Sequence, residues 1–185
     1  MAYISKETVS MIRKEIKQVN KKYKAKTLLK NLNNMVLQVK VMAGKMDFFA
    51  DVNVTPDYDS KISYELVKRF GAGLSKDEVF QKIDELKGEL YHGDLGFKEK
   101  TDIFWGYNSY AELYNGFYDD IFHQYQRFFK KNSTSYKYFK ELEDFIKDST
   151  KWYDRSDVQN DYFDTSFYIE FRIGNKATNK PYVTI

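Results

Sequence analysis

The hydrophobic pattern changes its period within the first 42 residues, from helical spacing to strand alternation. Ser5 occupies a helix N-cap position, and one apolar stripe follows at spacings of three and four residues: Val9, Ile12, Ile16 and Val19. Apolar and polar residues then alternate over residues 23–29 and 35–42, with turn-forming residues 31–34 between them. The pattern predicts a helix followed by a β-hairpin, a helix–hairpin unit over residues 5–42.

The middle of the chain, residues 60–150, predicts helices. The expected ranges are 60–70, 75–91, 109–130 and 135–147, the second and third opened by capping-box patterns. The third carries an aromatic stripe too wide for one ordinary buried face. We expect Phe117 and Ile121 to lie in the core, and Tyr114 and Tyr118 to border a partner surface or a homodimer seam.

The end of the chain returns to strand patterns. Apolar residues alternate over 167–173, and residues 181–185 suit an edge strand because proline is tolerated there. We therefore predict a single α+β domain over 1–185, with terminal strands at 165–185 joining the hairpin in a small, mainly antiparallel sheet. The helical middle could form a separate lobe within it.

Charge is distributed unevenly along the chain. The first 45 residues hold eleven lysines and arginines against two acids, whereas the remaining 140 hold 19 against 25. A basic cluster comprises Arg13, Lys14, Lys17, Lys21, Lys22, Lys24 and Lys26. These side chains could contact successive phosphates of RNA or DNA, or they could form a solvated helix face. The GXXG and RNP signatures of RNA-binding modules are missing from the sequence.

A row of carboxylates near the end has helical spacing. Its members are Asp154, Asp157, Asp161 and Asp164, which a helix would place on one face. A basic protein partner, a Ca²⁺ or Mg²⁺ ion, or a solvated surface would each suit this row. We expect a basic partner rather than a metal site, because the spacing is not that of an EF-hand loop.

The sequence contains few candidate catalytic residues. The two histidines, His92 and His123, fall in separate predicted elements, and no Walker loop, dinucleotide fingerprint or serine-hydrolase elbow occurs. Metal-dependent nuclease action would have to use scattered carboxylates such as Glu112, Asp119 and Asp120. We expect no cofactor. The absence of cysteine, of a signal core and of a long apolar run predicts a soluble, unsecreted protein without a membrane partner.

Short segments at both ends resemble one known group of domains. They are residues 3–8 (YISKET) and 12–14 (IRK) at the start, and 161–164 (DYFD), 168–169 (YI), Gly174 and 180–183 (KPYV) at the end. They resemble the large polyvalent protein-associated domains of phages and conjugative elements, although the long aromatic middle departs from the short form of that domain. The resemblance implies a mobile-element accessory protein in the host cytoplasm, and no catalytic residue is carried over.

The expected function follows from that resemblance and from the charge pattern. It is inhibition of a host nucleoprotein defence of the CRISPR-effector type, an anti-CRISPR activity, by binding a protein or guide-RNA surface. Two alternatives are a nuclease that cuts the guide or target strand and a plain DNA- or RNA-binding accessory protein.

Overall fold

The computed structural model describes residues 2–157, 159, 163–174 and 182–184. Its elements, in chain order, are α1 (Lys6–Tyr23), β1 (Lys26–Leu32), β2 (Val36–Gly44), α2 (Phe48–Asp51), α3 (Tyr58–Phe70), α4 (Lys76–Glu85), α5 (Phe97–Tyr114), α6 (Tyr125–Phe128), α7 (Thr134–Thr150), β3 (Tyr168–Ile173) and β4 (Val183–Thr184). The predicted α+β class is confirmed. No helix in these ranges is both long and apolar enough to cross a membrane.

The helix–hairpin unit forms as its pattern predicts. The hydroxyl of Ser5 accepts a 3.0 Å hydrogen bond from the backbone N–H of Thr8, which caps the first turn of α1. Val9, Ile12 and Ile16 of the apolar stripe are buried, Val19 is half-buried, and α1 contacts the hairpin. The chain reverses through Asn33 and Asn34, both with positive φ, a conformation that asparagine tolerates better than most residues.

The sheet is mixed, which corrects the prediction of a mainly antiparallel one. β2 lies in the centre, antiparallel to β1 and parallel to both β3 and β4. Alternation identifies a strand and its buried face but carries no information on strand direction. β3 is joined to β2 through several helices, and a crossover of that length allows parallel pairing.

Two apolar clusters form the interior. The larger one lies between the sheet and the helices α1 and α7, and contains the fully buried Phe139 and Phe171. The smaller one joins α3, α4 and α5. Phe49 and Tyr110 pack against both clusters, so the helical middle contacts the sheet core through aromatic side chains.

The predicted aromatic helix over 109–130 is wrong. An earlier helix, α5, ends at Tyr114. Ser109 lies inside it and donates a 3.3 Å hydrogen bond to the carbonyl of Trp105 instead of capping a new helix. Residues 115–124 form turns and loop, before the single turn of α6. Ile121 is buried as expected, whereas Phe117 is only half-buried.

The loop after α5 pairs with the outer edge of β3. The backbone N–H of Ile121 donates to the carbonyl of Phe171 at 2.9 Å, and Tyr118 exchanges backbone hydrogen bonds with Ile173. The carboxylate of Asp120 accepts the N–H of Phe171 at 3.1 Å. β3 is therefore covered on this side, whereas β1 forms the opposite edge of the sheet.

Candidate functional site

An open groove lies where α1 ends and β1 begins. It has a volume of about 710 Å³ and is lined by Lys17, Asn20, Lys21, Lys24, Ala25, Lys26 and Thr27. We call it the basic groove, and its four cations, Lys17, Lys21, Lys24 and Lys26, the groove lysines. All four are exposed. The fold thus gathers four predicted phosphate-binding residues, two from α1, one from the following turn and one from β1, around a single concavity.

The corner that carries the groove is held by specific hydrogen bonds. Lys24 adopts the left-handed conformation, with φ 49° and ψ 33°, so the chain leaves α1 and enters β1 within two residues. The side-chain amide of Asn20 donates to the hydroxyl of Thr27 at 2.9 Å, tying helix to strand. Its oxygen accepts a 3.0 Å hydrogen bond from Tyr138 of α7. Sequence reasoning missed Asn20 and Thr27, whose seven-residue separation matches neither a helical nor a strand period.

The groove lysines have no acidic partner in the described part of the chain, where none of them forms an ion pair. Lys21 lies in the last turn of α1, where a cation also interacts favourably with the helix dipole. That interaction accounts for one lysine of the four. The groove therefore carries positive charge that the surrounding side chains do not neutralise.

Lys22 belongs to a different contact. Its amine pairs with Glu141 of α7, and the hydroxyl of Tyr23 donates to the same carboxylate at 2.9 Å. The hydrogen bond from Glu141 raises the pKa of Lys22, and burial is the main cause that raises the pKa of Tyr23. Lys22 thus joins α1 to α7 and is not an unpaired cation.

Arg13 and Lys14 extend the basic surface along α1. Both are exposed, and neither forms an ion pair with a described residue. Arg13, Lys17 and Lys21 follow one another at intervals of four, so they share one side of the helix. This row leads into the basic groove from the N-terminal side of α1.

The two tyrosines predicted to border an interface have separate environments. Tyr114 is 52% exposed at the end of α5, edge-on to the ring of Phe49 at 5.4 Å. It borders a cavity of about 510 Å³. Tyr118 is half-buried in the following loop and packs against Phe128, with ring centroids 4.8 Å apart. Because α5 ends at Tyr114, the two side chains do not share a helix face.

The described members of the acidic row do not lie on a helix. Asp154 bridges to Thr165 and accepts the N–H of Ser156 at 3.0 Å, and hydrogen bonding to Ser156 is the largest cause of its lowered pKa. Asp157 accepts the N–H of Gln159 in the same way. Asp164 lies after the loop, and Asp161 lies outside the described residues. Asp154 and Asp157 thus bind the backbone of their own loop.

The other candidates for catalysis lie in separate segments of the chain or are already engaged. His92 and His123 are both exposed, and His123 packs edge-on against Phe122 at 4.6 Å. Asp120 accepts backbone N–H groups of Phe122 and Phe171, and Asp119 pairs with Arg172. Among the residues that the structure describes, no group of three or more histidines and carboxylates could hold a metal ion.

The basic groove is therefore the feature in which geometry and charge coincide. In comparisons of the chain with known proteins, no family model, no curated protein and no solved structure matches it.

Proposed function

We propose that this chain is a non-catalytic binding protein that engages the RNA phosphates of a nucleoprotein through its basic groove. The observation that carries the proposal is the set of four groove lysines, unpaired by described acids and gathered around one concavity. The hydrogen bonds of Asn20 to Thr27 and Tyr138 hold this concavity in place. A preorganised cluster of cations binds a polyanion with little loss of conformational entropy in the backbone.

The chemistry of lysine determines what such a groove recognises. Each ammonium group is a point charge that contacts phosphate oxygens without reading a base, so the groove contributes affinity and orientation rather than sequence preference. Every phosphate that is neutralised releases bound counterions, and binding weakens as salt is raised. The row that continues through Arg13 lengthens the path that a phosphate backbone can follow.

The biological setting of the proposal rests on the resemblance of the chain ends to mobile-element domains. In that setting the nucleoprotein is a host defence complex of the CRISPR-effector type, and the protein blocks it by occupying its guide-RNA surface. Stoichiometric blockade requires affinity and positioning but no catalytic group. This fits a site built from lysines on a helix–hairpin unit.

The first experiment replaces all four groove lysines by glutamate. RNA binding should weaken strongly, and the dependence of log affinity on log salt should flatten by about 0.7 for each single-strand phosphate that the variant no longer neutralises. A matched control replaces four exposed lysines elsewhere, Lys61, Lys131, Lys137 and Lys151, with the same change in charge. Lys151 has the same left-handed C-cap conformation in α7 as Lys24 has in α1. An equal fall in affinity in both variants would show a net-charge effect and contradict the proposal.

The second experiment separates blockade from cleavage. The protein is incubated with guide RNA with and without Mg²⁺, and then titrated into a purified CRISPR effector. We expect intact guide RNA and a loss of target cleavage that saturates at stoichiometric protein. Discrete RNA fragments would support the nuclease alternative. RNA binding without any inhibition would support a plain nucleic-acid-binding accessory protein.

A further inference from the structure

One face of the sheet is turned away from α1. It is formed by the even-numbered residues of β1 and β3, together with residues 36, 38 and 40 of β2. We call it the outer sheet face. The strand register sets its rows: Leu28, Lys40 and Arg172 lie side by side, and Leu32, Val36 and Tyr168 form another row. The odd-numbered residues of β2 and β3 point the other way, into the larger apolar cluster.

Two lysines on this face lack a paired acid among the described residues. Lys30 is exposed, Lys40 is half-buried, and neither forms an ion pair with a described residue. Burial is the main cause that lowers the pKa of Lys40. The charges of Lys30 and Arg172 lower it further, and the carboxylates of Glu170 and Asp119 oppose part of this shift. A half-buried amine without an ion-pair partner destabilises the free protein, and groups with perturbed pKa values concentrate at binding sites.

The acid on the same face is already engaged. One carboxylate oxygen of Glu170 accepts hydrogen bonds from Gln38 at 2.8 Å and from Arg172 at 3.2 Å. Arg172 also pairs with Asp119 at 3.3 Å. The arginine is thus neutralised within the fold, whereas the two lysines are available to an external anion.

Large apolar side chains lie beside these lysines. Leu28 is 45% exposed, Tyr168 42% and Leu32 36%. No hydrogen bond ties the hydroxyl of Tyr168 to a described residue. Exposed rings and methyl groups alternating with cations fit a single nucleic-acid strand, whose bases and phosphates are both accessible. A duplex offers its phosphates but keeps its bases stacked inside.

The outer sheet face and the basic groove meet at Lys26. This residue lines the groove and is also the first residue of β1, where the pairing with β2 shifts its register. Four residues of extended strand separate Lys26 from Lys30 by about 13 Å. A phosphate chain that passes Lys26 along β1 would reach Lys30 next.

We propose that the outer sheet face binds single-stranded RNA, with bases packed on Tyr168 and the leucines and phosphates on Lys30 and Lys40. This inference rests on the function proposed above, since the same strand would occupy the basic groove. It adds that the bound form is single-stranded and that the sheet, in addition to the groove, carries the contact.

The test measures the affinity of the protein for a short labelled oligouridylate and for an RNA duplex of the same length. The parent should bind the single strand more tightly. Tyr168→Ala should weaken single-strand binding about tenfold and leave duplex binding unchanged, whereas Tyr168→Phe should bind like the parent, because stacking needs only the ring. Tyr153→Ala is the matched control, since Tyr153 is equally exposed, at 41%, in a different part of the chain.

A second variant removes the charge. Lys40→Gln should weaken single-strand binding and flatten its salt dependence. The melting temperature should stay equal or rise, because a half-buried ammonium group without an ion-pair partner is gone. Parent-like binding by both Tyr168→Ala and Lys40→Gln would overturn the inference. Equal competition by polyphosphate, which has no bases, would also overturn it. If those two variants bind like the parent while the groove-lysine variant fails to bind, the proposed function stands without this inference. If the parent binds neither RNA form, both are refuted.

Discussion

Tyr138 of α7 donates a 3.0 Å hydrogen bond to the side-chain oxygen of Asn20 in α1. Through the amide of Asn20, that contact extends to Thr27 at the start of β1. The side chain of Tyr138 thus joins α7, which packs on the sheet, to the corner that forms the basic groove. Replacing Tyr138 tests both the stability of the fold and the geometry of the groove.

Tyr138→Phe should lower the free energy of unfolding by about 0.5–1.5 kcal/mol, because one hydrogen bond is removed and water can reach the half-buried Asn20. RNA affinity should fall as well, since the groove corner loses a support. Urea unfolding and RNA titration measure the two effects. Tyr136→Phe is the control, because the hydroxyl of Tyr136 makes no hydrogen bond to a described residue. A parent-like Tyr138→Phe protein in both assays would contradict this role.

Alkaline pH should destabilise the fold through its buried tyrosines. Burial raises the pKa of Tyr182 to about 12 and raises that of Tyr125 as well, where a 2.5 Å hydrogen bond to Glu143 adds to the effect. Below pH 10 both states keep the proton, and stability is fully present. Above pH 10 only the unfolded chain releases it, so stability falls by about 1.4 kcal/mol per pH unit for each such tyrosine until the folded pKa is reached.

The free energy of unfolding measured from pH 9 to 12 checks this prediction. Tyr125→Phe should reduce the slope above pH 10, whereas Tyr153→Phe, at an exposed position, should leave it unchanged. Identical slopes in the parent and in Tyr125→Phe would show that Tyr125 ionises in the folded protein as easily as in the unfolded one.

Asp51 stabilises the start of α7 from a distant part of the chain. Its carboxylate accepts the backbone N–H of Ser135 at 2.8 Å and the hydroxyl of the same residue at 2.5 Å. Asp51→Ala should cost about 1.5–3 kcal/mol of stability, since Ser135 is fully buried and its donors would be left without a charged acceptor. Asp51→Asn keeps a neutral acceptor and should cost about half as much. Thermal unfolding of the parent and both variants measures these effects. Equal destabilisation by Asp51→Ala and Asp51→Asn would show that only the charge of Asp51 matters, and would contradict the prediction.

Phe139 and Phe117 should differ sharply in their contribution to stability. Phe139 is fully buried and packs against Phe129, Phe48 and Phe171. Phe139→Ala should therefore cost about 3–5 kcal/mol. Phe117 is half-buried in the loop after α5, so Phe117→Ala should cost clearly less. Equal destabilisation of the two variants in denaturant unfolding would show that Phe117 contributes as a core residue, as its sequence pattern predicted.

Gly174 ends β3 at a position where no side chain fits. Its φ is +64°, and a Cβ atom there would overlap the carbonyl oxygen of Gly116. Gly174→Ala should destabilise the protein more than Gly71→Ala, because Gly71 also has positive φ but faces open space. Thermal unfolding measures both. A similar fall in melting temperature in both variants would show that the effect comes from backbone conformation alone and not from the overlap with Gly116.

Several elements could be predicted from local sequence because their apolar residues face a single cluster. α1, the hairpin, α7 and β3 each present one stripe or one alternating face to the larger cluster, so the pattern identifies the element directly. The bounds of α5 could not be predicted because this helix packs against α3, α4 and α2 at once. Gly106 within it is an unfavourable residue for a helix, yet it permits close approach to Ser63 of α3, whose hydroxyl would be 2.5 Å from a Cβ atom there.

The charge asymmetry of this protein and most of its helices and strands can be read from local sequence, because both depend on residues that are near neighbours in the chain. The parallel pairing of β3 and β4 with β2 follows instead from tertiary contacts. So does the pairing of Lys22 with Glu141, while the groove lysines remain unpaired by described acids. These outcomes depend on contacts between residues more than a hundred positions apart. Their geometry is set by how α7 and β3 pack against the helix–hairpin unit, which local periodicity does not encode.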